Sequence, residues 1–215
     1  MPNPVLCKIC GKRRARRLCP AVQGDICSLC CGTEREVSLS CPLECEYLQE
    51  AHLHEKPVPV REDEILYPEI RVTEEFLRDH EELVLFCVYS LLQAALRTSG
   101  AVDADVMPAL EALIQTLRTL QSGLVYETRP ENSIAAAIQR DFSKSLADYE
   151  KLRQEREGLS APRTSDVLSV LVFLHRLGQQ NQNGRPRGRM YLGLLRRMTQ
   201  DLNLGVEEGA PSIIL

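Results

Sequence analysis

Tryptophan is absent from this sequence, and aromatic residues make up only 5% of its 215 residues. Hydrophobic residues still account for 44% of the chain and charged residues for 26%, a balance that is typical of folded globular proteins. The core must therefore consist mainly of aliphatic side chains. A chain of this length has room for one ordinary domain with a small module, or for two small domains.

Long apolar runs are also missing. No segment approaches the roughly 18 apolar residues that a membrane helix needs. The first ten residues, MPNPVLCKIC, contain no apolar run of the kind found in a secretion signal. We therefore expect a cytoplasmic protein without a membrane partner.

Recognisable catalytic motifs are lacking as well. The sequence contains no glycine-rich phosphate loop, no nucleophile elbow and no His-Glu-x-x-His pattern. His175 lies within an apolar helical pattern, where a buried and hydrogen-bonded histidine is more common than a catalytic one. The sequence therefore predicts a protein that is not an enzyme and has no catalytic residue.

The chain has little net charge, −4 at pH 7, which excludes nucleic-acid binding driven by bulk charge. The charge is distributed unevenly. Residues 1–56 contain eight Lys and Arg against seven Asp and Glu, a net of +1, which leaves −5 for residues 57–215. Any basic surface must therefore be local.

Cysteine, in contrast, is abundant. Eight of the nine cysteines lie in the first quarter of the chain. In a reducing cytosol such a density is typical of metal binding rather than of disulfides. The ninth, Cys87, lies in an apolar helical pattern and is expected to be a small buried hydrophobic residue. The predicted metal ligands are Cys7, Cys10, Cys19, Cys27, Cys30, Cys31, Cys41 and Cys45.

The spacing of these cysteines predicts two structural zinc ions. Eight thiolates are the number that two tetrahedral all-cysteine sites require, and they leave no open position for a substrate. Gly11 follows the first Cys-x2-Cys pair, where a turn residue that tolerates a positive φ is needed. The planar peptide between Cys30 and Cys31 makes it difficult for both thiolates to bind one ion. We therefore expect the doublet to be divided between the two ions.

The stretches CKICGK and LCPAVQGDICSLCC resemble the HIT- and MYND-type zinc fingers, over about forty residues of the chain. In those families eight ligands interleave across two zinc ions in a cross-brace, and the finger generally mediates contact between proteins. The resemblance implies a similar fold and role here. It also implies one zinc on Cys7, Cys10, Cys27 and Cys31, and a second zinc on Cys19, Cys30, Cys41 and Cys45.

Two alternatives remain open. Cys27 and Cys30 could both bind the first ion, with Cys31 on the second. His52 or His54 could replace a cysteine, although two exposed histidines at the end of a short helix are the simpler interpretation.

The basic run KRRARR at residues 12–17 has two interpretations. It could contact phosphates, or it could offset the negative charge of the zinc–thiolate centres by donating hydrogen bonds to sulfur. We favour the second. A further cluster at residues 185–197 could dock an acidic partner or phosphate, or simply balance the acidic helices. The residues concerned are Arg13, Arg14, Arg16, Arg17, Arg185, Arg187, Arg189, Arg196 and Arg197.

The composition divides the chain into three parts. We expect a double-zinc cross-brace module at residues 1–56, an extended linker at 57–68 and an all-helical domain at 69–215. Apolar periodicity and capping residues predict about five helices in the last part. The first three run from Thr73 to Gly100, from Asp103 or Asp105 to Gly123, and from Asn132 to Glu157. The fourth begins at about Ser165 or Asp166 and includes VLSVLVFLHRL, and the fifth includes MYLGLLRRMTQDL. The final apolar residues, in PSIIL, are expected to dock onto the rest of the protein.

These observations favour a zinc-stabilised, non-enzymatic interaction or adaptor protein that binds a protein partner. The alternative is a nucleic-acid-associated regulatory factor that uses the arginines at 12–17 and 185–197. Binding to phosphate would weaken steeply with salt, whereas an apolar contact would not.

Overall fold

The structure is a computed structural model that describes residues 5–157 and 161–201. Within these residues it contains two short strands and eight α-helices, so the expected mostly helical fold is confirmed. The final segment PSIIL, which was expected to dock, lies outside the described residues. The elements are β1 Arg17–Cys19, β2 Gly24–Ile26, α1 Ser28–Glu34, α2 Glu46–His54, α3 Glu74–Asp79, α4 Glu81–Arg97, α5 Asp103–Gln121, α6 Ser133–Leu152, α7 Thr164–Gln180 and α8 Met190–Asp201.

The helices α4 to α8 form a bundle with α4 near its centre. Helix α4 packs against α6, α7 and α8, while α5 packs against α6 and α7. The buried side chains are mostly aliphatic, as expected for a chain without tryptophan, and Tyr191 and Phe142 are the largest of them. Cys87 is fully buried in α4, which confirms its expected role as a small hydrophobic residue. None of the described helices is long and apolar enough to cross a membrane.

The helix predicted from Thr73 to Gly100 is in fact two helices, which meet at His80. His80 leaves the helical backbone conformation (φ −116°, ψ 27°). Its ring stacks on Phe76 at 4.2 Å and lies 2.9 Å from the Phe76 carbonyl oxygen through Nδ1. The His80 backbone amide also donates to this carbonyl, at 3.1 Å, and apolar periodicity alone does not reveal the break.

Other helix boundaries agree more closely with the sequence. Asn132 caps α6 by accepting a hydrogen bond from the Ile134 amide at 2.8 Å, and Gly123 follows α5 with φ +83°. Helix α6 ends at Leu152, and the predicted extension to Glu157 is a single π-helical turn.

The cysteine-rich segment divides between two buried clusters. Cys7, Cys19 and Ile26 belong to a small cluster of its own. Leu43 and Leu48, in contrast, belong to the same buried core as α4. Helix α2 is therefore packed onto the bundle, while the division of the chain into domains near residue 56 stays a prediction.

Candidate metal centre

The first Cys-x2-Cys pair lies on a tight turn. The Gly11 amide donates to the Cys7 carbonyl at 2.7 Å, and the Cys7 amide donates to the Arg13 carbonyl at 2.8 Å. Gly11 has φ +64°, the conformation for which a glycine was expected after this pair. The turn brings the side chains of Cys7 and Cys10 to the same side.

The second pair lies at the start of α1. Cys27 is the N-cap residue, and its sulfur accepts a hydrogen bond from the Cys30 amide at 3.4 Å. Cys30 therefore lies one turn along the helix, on the side of Cys27. Cys31 is rotated by about 100° around the helix axis, because an α-helix has 3.6 residues per turn. Helix geometry thus separates the two members of the doublet.

The four sulfurs of Cys7, Cys10, Cys27 and Cys30 all lie within 4.8 Å of one another. Zinc binds thiolates at about 2.3 Å in a tetrahedron, so its ligand sulfurs are roughly 3.8 Å apart. The cluster is therefore of the right size and chemistry to hold one metal ion. It contains Cys30 and corresponds to the alternative pairing, rather than to the set with Cys31 that the resemblance implies.

The protonation of this cluster is uneven. Backbone amides of Lys12 and Arg13 donate to the Cys10 sulfur and lower the pKa of this thiol to about 6. The side chain of Cys27 and burial raise the pKa of Cys30 to about 12. Without a metal the cluster thus keeps protons that ligation would displace.

The remaining four cysteines line a small space of their own. Cys19, Cys31, Cys41 and Cys45 all line one cavity of about 20 Å³, which is enough for a single atom the size of a water molecule. Among the residues that the structure describes, these four sulfurs do not all lie within 4.8 Å of one another, as the sulfurs of the first cluster do. Burial, together with the charge of Glu36 and of neighbouring thiols, raises the pKa of Cys41.

Some arginines of the basic run at residues 12–17 contact cysteine sulfurs, and others are exposed to solvent. Arg17 donates to the Cys31 sulfur at 3.4 Å and lies 4.4 Å above the ring of Tyr47. A guanidinium nitrogen of Arg13 lies 4.0 Å from the Cys10 sulfur. Arg14 and Arg16 are exposed and have no side-chain hydrogen bond or ion pair among the described residues.

The second arginine cluster contacts the cysteine-rich segment of the same chain. Arg185 donates to the Glu55 carboxylate and to the Arg35 carbonyl, both at 2.8 Å. Arg187 hydrogen-bonds to the Ser40 hydroxyl, and Arg196 pairs with Glu44. Arg185 is therefore half-buried, because its side chain binds Glu55 and the Arg35 carbonyl.

Glu36 is a central residue that the sequence did not reveal. Its carboxylate is fully buried and lies 3.0 Å from His52 Nε2, and it accepts hydrogen bonds from the Asn183 side chain at 2.8 Å and from the Arg189 amide at 2.6 Å. Burial opposes ionisation, but these donors together lower the pKa of Glu36 below its ordinary value.

This network changes the interpretation of the two histidines. His54 is exposed as expected, but His52 is buried, since the Glu36 carboxylate draws its ring inward. Glu36, His52 and Glu55 could in principle hold a metal ion. Because Asn183 and Arg185 already occupy their carboxylate oxygens, a hydrogen-bonded network accounts for the group.

His175 is buried in α7, as the sequence predicted, and its Nε2 lies 3.2 Å from a Glu111 carboxylate oxygen. Both residues border a cavity of about 430 Å³ beside residues 58–60. The Glu111 side chain is 43% exposed.

Comparison with family models, with curated proteins and with solved structures finds no match for this chain. The resemblance to the HIT- and MYND-type fingers therefore rests on the cysteine motifs alone.

Proposed function

We propose that this chain is a zinc-stabilised, non-enzymatic interaction protein, in which two zinc ions hold the cysteine-rich segment in the shape that a protein partner binds. The observation that carries the proposal is the group of four sulfurs within 4.8 Å of one another, supplied by two Cys-x2-Cys pairs that lie far apart in the sequence. Such convergence of soft ligands from a turn and a helix N-terminus is the usual form of a structural zinc site.

Zinc is the ion that best suits this ligand set. Thiolate ligands select zinc, copper(I) or iron–sulfur clusters, and a closed tetrahedral set without an open position is typical of structural zinc. In this proposal the first ion is held by Cys7, Cys10, Cys27 and Cys30. The second is held by Cys19, Cys31, Cys41 and Cys45, which share one small cavity.

The segment has a clear physical need for metal. Its two strands are three residues long, and Ile26 is the one aliphatic side chain among the fully buried members of its small cluster. So small an apolar core supplies little stabilisation. Binding of structural metal supplies folding free energy directly, because the unfolded chain has no preformed site.

Large apolar side chains on the outside of the segment support a role in protein contact. Leu18 is 68% exposed, Leu6 is 53% exposed and Leu29 is 51% exposed. Exposed apolar side chains that are held on a rigid, metal-bound frame are suited to contact with another protein.

The nucleic-acid alternative has less support. Arg185, Arg187 and Arg196 make contacts with the cysteine-rich segment of their own chain. Arg13 and Arg17 lie beside sulfur atoms. Most of the candidate phosphate ligands are therefore already engaged.

Hydrogen-exchange mass spectrometry with and without a chelator tests the proposal. We expect removal of zinc to abolish amide protection within residues 5–35, while amides in the centre of α5 stay protected. Re-addition of zinc, but not of magnesium, should restore protection, because magnesium prefers oxygen ligands. Protection that is identical before and after chelation, in protein shown to be metal-free, would contradict the proposal.

A further inference from the structure

The basic run and the first cysteine pair belong to one small antiparallel arrangement. The Ala15 amide donates to the Val5 carbonyl at 2.8 Å on one side, and the Arg16 amide donates to the Ile26 carbonyl at 2.9 Å on the other. Residues 13–19 therefore lie between residues 5–7 and the strand β2. In paired antiparallel strands directly opposite residues share a face. Arg16 and Arg17 both lie opposite Ile26, so the regular alternation of side chains is interrupted there.

The two faces have different compositions. The inner face carries Cys7, Cys19 and Ile26, all of which are buried. Residues 14, 16 and 18 are all exposed to solvent and so lie on the side away from this set, as does exposed Leu6, which is paired with Arg14. We call this side the outer face, and its members are Leu6, Arg14, Arg16, Leu18 and Asp25, which is paired with Leu18.

The outer face carries positively charged side chains without polar partners among the described residues, together with exposed apolar side chains. Arg14 and Arg16 are exposed without polar side-chain partners among the described residues, and exposed Lys12 precedes them. Leu6 and Leu18 are 53% and 68% exposed on either side of these arginines. Asp25 contributes the single negative charge on this face.

We propose that the outer face binds an acidic protein segment that also carries large apolar side chains. This inference rests on the proposed function, since zinc is what holds the strands in this register. Carboxylates of the partner pair with Arg14 and Arg16, while its apolar side chains cover Leu6 and Leu18. Charge complementarity sets the class of partner, and apolar contact adds affinity.

The composition of the outer face favours protein over nucleic acid. Single-stranded nucleic acid is usually bound by aromatic side chains that stack on bases, whereas the apolar residues of this face are leucines. Asp25, on the same face, repels any negative charge placed beside it, and a phosphate backbone carries one at every nucleotide. An acidic peptide with spaced carboxylates can instead place an apolar side chain beside Leu18 and Asp25.

Selection from a random peptide library, displayed on phage and panned against the full zinc-loaded chain, tests the inference. We expect the selected peptides to be enriched in Asp and Glu together with Leu, Ile, Val or Phe. For a selected peptide, the double variant Arg14→Glu/Arg16→Glu should lower affinity by at least about tenfold, and Leu18→Ser should lower it separately. The control Arg71→Glu/Arg140→Glu makes the same charge change at exposed sites elsewhere and should bind as the wild type does.

Three results would overturn the inference: selected peptides without net negative charge, equal loss of affinity in the test and control double variants, or tighter binding of a thymidine 20-mer through Arg14 and Arg16. Zinc content is measured on every variant. If zinc is retained while acidic peptides are not selected, the partner class is wrong and the proposed zinc-stabilised fold still holds. If the wild-type chain binds no zinc, the proposed function itself fails.

Discussion

Cys30 and Cys31 are adjacent in the sequence, yet they serve different clusters, because successive residues on α1 are rotated by about 100°. Cys30 supplies one of the four sulfurs that lie within 4.8 Å of one another, whereas Cys31 lines the small cavity with Cys19 and accepts a hydrogen bond from Arg17. The doublet thereby connects the two candidate metal sites rigidly, through one peptide bond.

The arginines of residues 12–17 differ in their contacts, and this difference yields a matched pair of substitutions. Arg17→Gln removes the hydrogen bond to the Cys31 sulfur and the cation above Tyr47. We expect it to weaken retention of the second zinc by roughly 10- to 100-fold, the usual effect of removing a group that supports a metal ligand. Arg16→Gln removes the same charge on the outer face and should leave zinc retention unchanged. Competition with a chromophoric chelator measures both, and equal effects would show that only bulk charge matters.

The sequence predicted a cluster of cysteines, and four of their sulfurs do lie within 4.8 Å of one another, but it did not predict the buried polar partners. The spacing of the cysteines was informative because a chelating pair is a local feature of the chain. Glu36 was missed, because Asn183 and Arg189, which donate to it, are 147 and 153 residues away. No local pattern marks a residue whose partners are assembled by the fold.

Helix α8 begins at two buried carboxylates, which connect it to distant parts of the chain. Asp103, at the start of α5, accepts hydrogen bonds from the Tyr191 and Leu192 amides at 2.9 and 3.1 Å. Glu36 accepts from the Arg189 amide at 2.6 Å. The first amides of a helix lack intrahelical acceptors and favour negative charge, so these two side chains position α8 against both α5 and the cysteine-rich segment.

The contribution of Glu36 can be measured by truncation. Glu36→Ala leaves His52 and the Arg189 amide without their buried acceptor, and we expect it to lower the free energy of unfolding by about 3 kcal/mol or more. Glu50→Ala, at an exposed position on α2, should change the free energy of unfolding by less than about 0.5 kcal/mol. Urea denaturation followed by far-ultraviolet circular dichroism compares the two. A similar small effect for both variants would mean that the Glu36 network does not hold the elements together.

Asp103 should make stability depend on pH. Burial, assisted by the charge of Glu36, raises the pKa of Asp103 to about 7 in the folded chain. The folded state then binds more protons than the unfolded state between about pH 4 and pH 7. Stability from this residue is therefore fully present below pH 4 and is lost as pH rises through 7, by roughly 1 kcal/mol per pH unit.

Urea denaturation at pH 5, 6, 7 and 8 gives this slope. In Asp103→Asn the free energy of unfolding should fall less steeply with rising pH than in the wild type, whereas Glu50→Gln should leave this slope unchanged. An identical slope in the wild type and in Asp103→Asn would show that the Asp103 carboxyl is already ionised at pH 5.

Helices were more predictable than their interruptions. Thr73 and Asn132 begin two of the predicted helices, and in the structure each side chain accepts a hydrogen bond from an amide two or three residues ahead. The break at His80 has no signature in the apolar pattern, and the His80 ring there contacts the Phe76 carbonyl and lies 3.6 Å from Asp166 on α7.

On the scale of the whole molecule, the cysteine-rich segment and the helical bundle are joined by both apolar and polar contacts. Leu43 and Leu48 lie in the core that α4 occupies, and Arg185 reaches the Arg35 carbonyl across 150 residues of sequence. The sequence predicted a cysteine-rich segment and a helical part, but it did not predict the contact between them, because that contact depends on residues that are distant in the chain.

The central claim is that two separate all-cysteine sites each hold one zinc ion. The most direct measurement is the mass of the purified chain under native and denaturing conditions, for the wild type, Cys10→Ser and Cys45→Ser. We expect two zinc ions in the wild type, all lost on denaturation. Each variant should keep one ion, because each substitution disrupts only one of the two sets. A wild-type chain with one zinc ion, or with none and with free thiols, would contradict the assignment of eight ligands to two sites.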